Sequence, residues 1–152
     1  MFNNTESGQA ARQGWLAVLA RAPAAAIADG LRQTQPLPPH TRLRGQEAGM
    51  AMVRGRIGGG GGEFNLGEMT LSRCSIRDSA GRIGHGYAAG RDLAQVELIA
   101  RLDAVLQDPA LHPAYDPLLR SLAAAQAGRR QATEAKAAAT EVKFFTLAAM
   151  RS

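Results

Sequence analysis

The spacing of apolar residues gives the chain helical ends and a strand-rich middle. Over residues 9–21 apolar positions recur at helical spacing, and Pro23 suits the first position of a second short helix over 23–33. We expect residues 1–8, which precede this helical hairpin, to be frayed. The prolines within residues 35–40 favour an extended backbone, so this stretch is predicted to be a spacer.

Apolar and polar side chains alternate in the middle of the chain, which is the pattern of strands. Three strands are predicted, over 41–57, 68–78 and 82–89. A glycine-rich loop over 58–67 separates the first two, and a tight turn at 79–81 joins the last two. Because the turn is so short, the strands that it joins are expected to be antiparallel.

The alternation also predicts which side chains share a face of the sheet. Arg54 and Arg56 project together from the first strand. The third strand places these side chains on a common face: Ile83, His85 and Tyr87. Gly84 and Gly86 lie opposite them, and small residues in a strand usually mark the close approach of another backbone, a helix or a ligand.

The C-terminal part of the chain is predicted to be largely helical. Asp92 is placed to cap a long helix, and a further helix begins near Pro113 or Pro117 and continues into an alanine-rich tail. Gly128 is a candidate break in that helix. The apolar residues 142–147 are a candidate edge strand, so the sheet has three or four strands.

These elements predict a single α+β domain over residues 1–152. It consists of an N-terminal helical hairpin, a central antiparallel sheet and C-terminal helices packed on one face of that sheet. Its 152 residues are the length of one domain. Aromatic residues make up only 5% of the chain, so we expect a modest core that a partner protein completes.

The net charge of +5 is concentrated in the middle of the chain. Residues 41–91 carry eight arginines and four acids, whereas residues 92–152 carry seven bases and seven acids. The planar guanidinium group suits carboxylates and phosphates held in fixed geometry. We therefore favour an acidic or phosphate-bearing protein complex as the partner over DNA.

Cysteine content and hydropathy indicate the cellular compartment in which the protein is expected. The single cysteine, Cys74, rules out an internal disulfide and fits a reducing environment. No stretch approaches the roughly 20 apolar residues that a membrane span needs. The N-terminus lacks a basic leader. We expect a soluble cytoplasmic protein.

The five consecutive glycines at 58–62 resemble a phosphate-binding loop at first sight. Such loops end in Gly-Lys-Ser/Thr before a helix, or follow the Gly-x-Gly-x-x-Gly pattern between a strand and a helix. Here Glu63 and further strand-like sequence follow the glycines, and no lysine is near. A flexible connection between two strands is the better interpretation.

His85 is the best single candidate for acid–base chemistry, because an unperturbed histidine has a pKa close to neutrality. No second group is evidently placed to orient it, and a lone strand histidine is more often structural. Cys74 would pair with His85 only if the two lie side by side across the hairpin, and buried packing of the thiol is favoured. His40 and His112 lie in other segments and no metal-binding spacing occurs, so we expect no metal site.

The stretch from Met52 to Asp92 carries a specific set of motifs. It contains, in order, MVRGRIGG, FNLGE, T-x-x-RC, GR-x-GH-x-Y and GRD. This order closely resembles the central region of the small G subunit (PhnG) of the bacterial carbon–phosphorus lyase core complex. The resemblance extends over nearly the whole chain. The spacer after MVRGRIGG departs from it, because it is pure glycine here.

The resemblance implies an accessory subunit in organophosphonate catabolism. Such a subunit assembles with subunits H, I and J, with contact to I favoured. With H, I and L it takes part in the displacement of adenine from ATP by an alkylphosphonate, which gives alpha-D-ribose 1-methylphosphonate 5-triphosphate. ATP and the phosphonate are then substrates of the complex, no cofactor is bound by this chain alone, and the iron–sulfur chemistry belongs to another subunit.

Three hypotheses about function follow. The chain is a noncatalytic stabilising subunit of a phosphonate ribosyltransferase complex, or it completes the site. In the second case, a composite site for triphosphate or phosphonate includes four residues: Arg54, Arg56, Arg73 and His85. The third hypothesis is a small basic RNA- or DNA-binding module, which the scarcity of aromatic residues among the basic strands disfavours.

Overall fold

Four α-helices and one antiparallel sheet of three strands make up residues 3–140, the part of the chain that this computed structural model describes. The elements are α1 (Asn3–Ala20), α2 (Ala24–Leu31), β1 (His40–Arg56), β2 (Glu63–Asp78), β3 (Ile83–Ala89), α3 (Leu93–Leu106) and α4 (His112–Ala139). The strand order is β1-β2-β3. The predicted α+β class, with an antiparallel sheet between helices, is confirmed.

Helix α3 covers one face of the sheet, and β3 alternates strictly between buried and exposed residues beneath it. The two glycines of β3 face the helix. A β-carbon built on Gly84 would lie 1.9 Å from the carbonyl oxygen of Ala100, and one on Gly86 would lie 2.0 Å from that of Val96. The prediction that another backbone approaches these glycines is therefore confirmed, and that backbone belongs to α3.

The remaining helices pack on the other side of α3 and complete the core. Apolar side chains from each of them are buried there: Trp15, Leu19, Ile27, Tyr115 and Leu118. Nearly every residue of α3 from Val96 to Leu106 is shielded from water, because this helix lies between the sheet and its neighbours. Asp92 caps α3 as predicted, accepting a hydrogen bond from the backbone N–H of Gln95 at 3.0 Å.

A buried carboxylate ties these layers together. Asp103 of α3 is fully buried and forms an ion pair with Arg12 of α1 at 2.7 Å. It also accepts hydrogen bonds from the indole N–H of Trp15 at 3.0 Å and from the backbone N–H of His85 at 2.8 Å. A buried charge is stable only when it is paired in this way. One side chain therefore joins α1, α3 and β3.

Strands β1 and β2 extend far beyond β3. Strand β3 pairs only with residues 71–77 of β2, while β1 pairs with β2 along almost its whole length. We call residues 48–70, which project past the end of β3, the arm. Several large apolar side chains of the arm are exposed: Met50, Met52, Ile57, Phe64, Leu66 and Met69.

The connection at the tip of the arm is shorter than the predicted loop over 58–67. Strand β2 begins at Glu63, and a short 3-10 turn over Ile57–Gly59 makes most of the connection. Pairing of Glu63 with Arg56 and of Phe64 with Gly55 continues the hydrogen-bonded ladder almost to the glycines. The glycine run therefore forms a turn, and FNLG belongs to the strand.

The ends of the chain also differ from the predictions. Helix α1 begins at Asn3, within the segment that was expected to be frayed. Helix α4 begins at His112, next to Pro113, and continues through Pro117 and Gly128 without a break. The candidate edge strand over 142–147 lies outside the described residues. No helix within residues 3–140 is both long enough and apolar enough to cross a membrane.

Candidate functional site

The face of the sheet that points away from α3 carries most of the candidate chemistry. Strand pairing places Ser75 opposite His85 and Arg44, and Arg73 opposite Tyr87 and Glu47. We call this surface the open face, and define it by eight residues: Arg44, Glu47, Arg73, Ser75, Arg77, Ile83, His85 and Tyr87. No described helix covers it, as the exposed residues of β3 show.

His85 lies at the centre of the open face and is exposed. Its Nδ1 is 2.9 Å from the hydroxyl oxygen of Ser75, the residue that it faces across the strands. Its own backbone N–H points to the opposite side, where it donates to Asp103. Backbone and side chain are thus both fixed, the first by a carboxylate and the second by a hydroxyl.

The Ser75–His85 pair lacks the other parts of a nucleophilic site. In such sites the histidine is oriented by a third group, commonly a carboxylate, and donors stabilise the developing oxyanion. Within the described residues, no carboxylate forms a hydrogen bond with the His85 ring. The pair is also open to water, so the geometry favours binding over catalysis.

Arg73, which was predicted as an anion-binding candidate, is held by a carboxylate of the same face. Its Nε lies 2.5 Å from an oxygen of Glu47, and the guanidinium of Arg44 approaches the same oxygen at 3.6 Å. Arg77, four residues further along β2, is exposed and forms no ion pair with the described residues. The open face thus carries more positive than negative charge.

The other two arginine candidates lie at the far end of the arm. Arg54 and Arg56 both pair with Glu63, at 3.3 Å and 2.9 Å. Arg54 is paired with Asn65, eight residues before Arg73 on β2, which corresponds to about 26 Å along the strand. The structure therefore brings Arg73 and His85 together and separates them from Arg54 and Arg56.

Cys74 lies on the opposite side of the sheet from His85. It pairs with Gly86, is fully buried, and its thiol donates to the backbone oxygen of Arg44 at 3.5 Å. Burial raises the pKa of the Cys74 thiol, and the negative charge of Glu97 adds to this effect. The thiol and His85 do not form a pair, and the interpretation of Cys74 as a packing residue agrees with the structure.

Comparison with known proteins assigns the family. Residues 10–150 match the family model described as "Phosphonate metabolism protein PhnG". A curated relative from Rhizobium meliloti (strain 1021) is named "Alpha-D-ribose 1-methylphosphonate 5-triphosphate synthase subunit PhnG". It is 38% identical over 142 residues, which cover 93% of this chain and 91% of the relative. The chain belongs to the PhnG family. The resemblance predicted from the motifs is thereby confirmed.

The PhnG motifs map onto one continuous part of the structure. MVRGRIGG and FNLGE form the two strands of the arm and its tip, and GR-x-GH-x-Y forms β3 with the turn before it. GRD provides the cap of α3 at Asp92. The motif-bearing stretch therefore builds the arm and much of the open face, whereas the helices around the core come from the flanking sequence.

The sequence patterns did not predict a second polar cluster of this PhnG-family chain. Glu97 of α3 receives hydrogen bonds from His40 at 2.9 Å and Arg42 at 3.0 Å, and also from Gln46. Burial alone would raise the pKa of Glu97, but the hydrogen bonds from Arg42 and His40 outweigh it, so the pKa is lowered. This cluster attaches the start of β1 to α3.

Neither a metal-binding group of side chains nor the cavity described below involves the candidate residues in the described part of the chain. Within residues 3–140, no three histidine, cysteine or acidic side chains are grouped as a metal site would require. A cavity of about 760 Å³ lies between α1 and the α3–α4 connection, lined in part by Trp15, Gln107 and His112. It is on the helical side of the molecule, away from the open face.

Proposed function

We propose that this chain is the accessory G subunit of an alpha-D-ribose 1-methylphosphonate 5-triphosphate synthase. The observation that carries the proposal is the 38% identity to a named subunit of that synthase over almost the full length of both chains. The site geometry supports a role without a catalytic group of its own, because the one histidine on the open face is oriented only by a serine hydroxyl.

The reaction proposed for the complex is the displacement of adenine from ATP by an alkylphosphonate. A phosphonate oxygen bonds to C1′ of the ribose as the bond from C1′ to adenine breaks, and the triphosphate stays on the product. We propose that subunit I carries this chemistry and that the present chain supports it by assembly. ATP and the phosphonate are bound by the complex, and this chain alone binds no cofactor.

We further propose that the partners are subunits I, H and J, with subunit I in direct contact, and that the complex is cytoplasmic. Net positive charge and a large uncovered sheet face support an assembly role, because a surface of this kind gains stability by binding a complementary one. The arm, with its exposed apolar side chains, supports the same role.

Co-expression tests the proposal. The chain is expressed alone and then with subunit I from the same operon, and each sample is analysed by size-exclusion chromatography. Adenine release from ATP and methylphosphonate is then measured with and without the chain. We expect stoichiometric co-elution with I and a requirement for the chain in phosphonate-dependent release. A stable monomer that ignores subunit I would contradict the proposal.

A second candidate function is completion of the substrate site by this chain. It is favoured by one observation, that Arg73 and His85 share the open face. Arg54 and Arg56, about 26 Å away along the strand, would then contact a different group. The variant Arg73→Ala would support this role if the complex assembled normally but released no adenine.

A further inference from the structure

The open face is an uncovered surface on the side of the sheet that points away from α3. The main helix contacts of the sheet involve α3 and α1, and β3 exposes every residue that points away from them. Tyr87 is 52% exposed and Ile83 is 37% exposed, although both lie on a regular strand that is paired with β2. Antiparallel sheets often leave one face to water, but the exposed Tyr87 and Ile83 give this face an apolar part as well as a charged one.

The composition of this surface is that of a protein interface. Tyrosine, methionine and arginine are enriched in such interfaces, and tyrosine and arginine dominate their energetics. On the open face, Tyr87 lies on the edge strand β3, directly opposite Arg73. The exposed side chain of Met69 continues the apolar surface towards the arm. Small-molecule sites are concave, whereas this surface consists of side chains on three paired strands with no helix over them. A macromolecular occupant therefore fits better than a free nucleotide.

Charge determines what kind of macromolecule fits. The open face carries three arginines and one carboxylate, Glu47, which two of the arginines share. Arg77 has no ionic partner among the described residues. A second copy of the chain docked through the same face would place like charges together. An acidic surface would instead give Arg77 a partner and balance the excess positive charge.

Two other occupants fit less well. The C-terminal residues 141–152 carry one acid and two bases, so they do not complement the charge of the open face. Single-stranded nucleic acid would find phosphate contacts there, but sites that stack successive bases use several aromatic side chains, and the open face offers Tyr87 and His85 without a phenylalanine or tryptophan.

We propose that the open face docks onto an acidic, partly apolar surface of subunit I, with Arg73 and Arg77 supplying the charge contacts and Tyr87 the central apolar contact. This inference rests on the proposed function and adds to it the surface by which the chain is held. The arm and the helical side remain free for other contacts.

The test compares the wild-type chain with a charge-reversed variant, Arg73→Glu with Arg77→Glu, each purified separately from subunit I. Affinity is measured by titration of the purified chain into subunit I at two salt concentrations. We expect the variant to bind about tenfold more weakly or worse, and we expect salt to weaken the wild-type interaction more than that of the variant. Tyr87→Ala, which changes no charge and removes no core contact, should weaken binding as well.

The matched control reverses two exposed arginines on the helical side, Arg21→Glu with Arg129→Glu, and so changes net charge by the same amount. It should bind as the wild type does. Equal loss in the control and the open-face variant would overturn the proposal, since net charge alone would then explain the effect. If the double variant Arg73→Glu with Arg77→Glu and the single variant Tyr87→Ala both bind with wild-type affinity, the proposal is also overturned. The proposed function would then still stand.

Three further outcomes would overturn the inference in distinct ways. If the wild-type chain binds neither subunit I nor subunits H and J, the proposed function fails together with it. If the open-face variant assembles normally but adenine release is lost, the face contacts substrate. If the variant assembles normally but loses retention on heparin or on bulk RNA, the face binds nucleic acid.

Discussion

Gly84 of β3 lies so close to Ala100 of α3 that a β-carbon on the glycine would stand 1.9 Å from the Ala100 carbonyl oxygen. Two such contacts, at Gly84 and Gly86, let α3 rest directly on the backbone of β3. The helix is therefore held against one face of the strand. The side chain of His85, which lies between the two glycines, is directed to the open face.

Substitution Gly84→Ala should destabilise the fold strongly. The added methyl group meets the backbone of α3, which cannot move without disturbing the core, so the free energy of unfolding should fall by about 3 kcal/mol or more. Urea denaturation followed by circular dichroism measures the change. Gly49→Ala is the control, because nothing lies within 4 Å of a β-carbon at that position. Equal stability of the two variants would refute the close packing.

Asp103→Asn should also destabilise the fold, because the guanidinium of Arg12 would lose the buried carboxylate that it pairs with. Asp103 is fully buried and accepts hydrogen bonds from Arg12, Trp15 and the backbone of His85. Breaking a buried, hydrogen-bonded pair of this kind should cost about 2 to 4 kcal/mol. Thermal unfolding gives the measurement. Asp29→Asn, in an exposed pair with Arg32, should change stability little, and a similar loss in both variants would contradict the structural role of Asp103.

Much of this fold follows from local patterns. The alternation in β3 predicted both the exposed row that contains His85 and the glycines that face α3, because strand geometry assigns each residue to a face without knowledge of the partner. The cap at Asp92 was predictable for the same reason, since it depends on neighbours three residues apart.

Features that depend on pairing between distant segments were not predictable. The β1–β2 connection was predicted over 58–67, but pairing already begins at Glu63, and the resulting register places Arg54 opposite Asn65 and far from Arg73. Asp103 and Glu97 lie on a helix whose surroundings come from residues about 50 to 90 positions away. Their roles depend on how α1 and β1 dock, which only the assembled core determines.

The Glu97 cluster predicts how acid affects stability. Hydrogen bonds from Arg42 and His40 hold the pKa of Glu97 below its ordinary value of 4.5 in the folded chain. A carboxylate with a lowered folded pKa stabilises the fold fully above its unfolded pKa, and this contribution is lost as the pH falls through the folded pKa. The wild type should therefore lose stability below about pH 4.5.

Comparison of wild type and Glu97→Gln in urea between pH 3 and pH 7 tests this. The difference in unfolding free energy should be largest near neutral pH and should shrink as the pH drops below about 4.5. Glu134→Gln, in an exposed pair on α4, serves as the control and should show little difference at any pH. A constant difference between Glu97→Gln and wild type would mean that the charge of Glu97 is not what the cluster stabilises.

His85→Ala distinguishes a structural histidine from a catalytic one in the assembled synthase. Because Ser75 alone orients the ring and the open face is exposed, adenine release at saturating subunit concentrations should fall by less than about tenfold, whereas loss of a general acid or base usually costs 10²-fold or more. Ser75→Ala should behave in the same way, since it removes the one hydrogen bond to the ring. Size-exclusion chromatography must show that both variants assemble. A hundredfold loss of turnover in an intact complex, with a changed pH profile, would place His85 in the chemistry and require a partner subunit to supply the missing carboxylate.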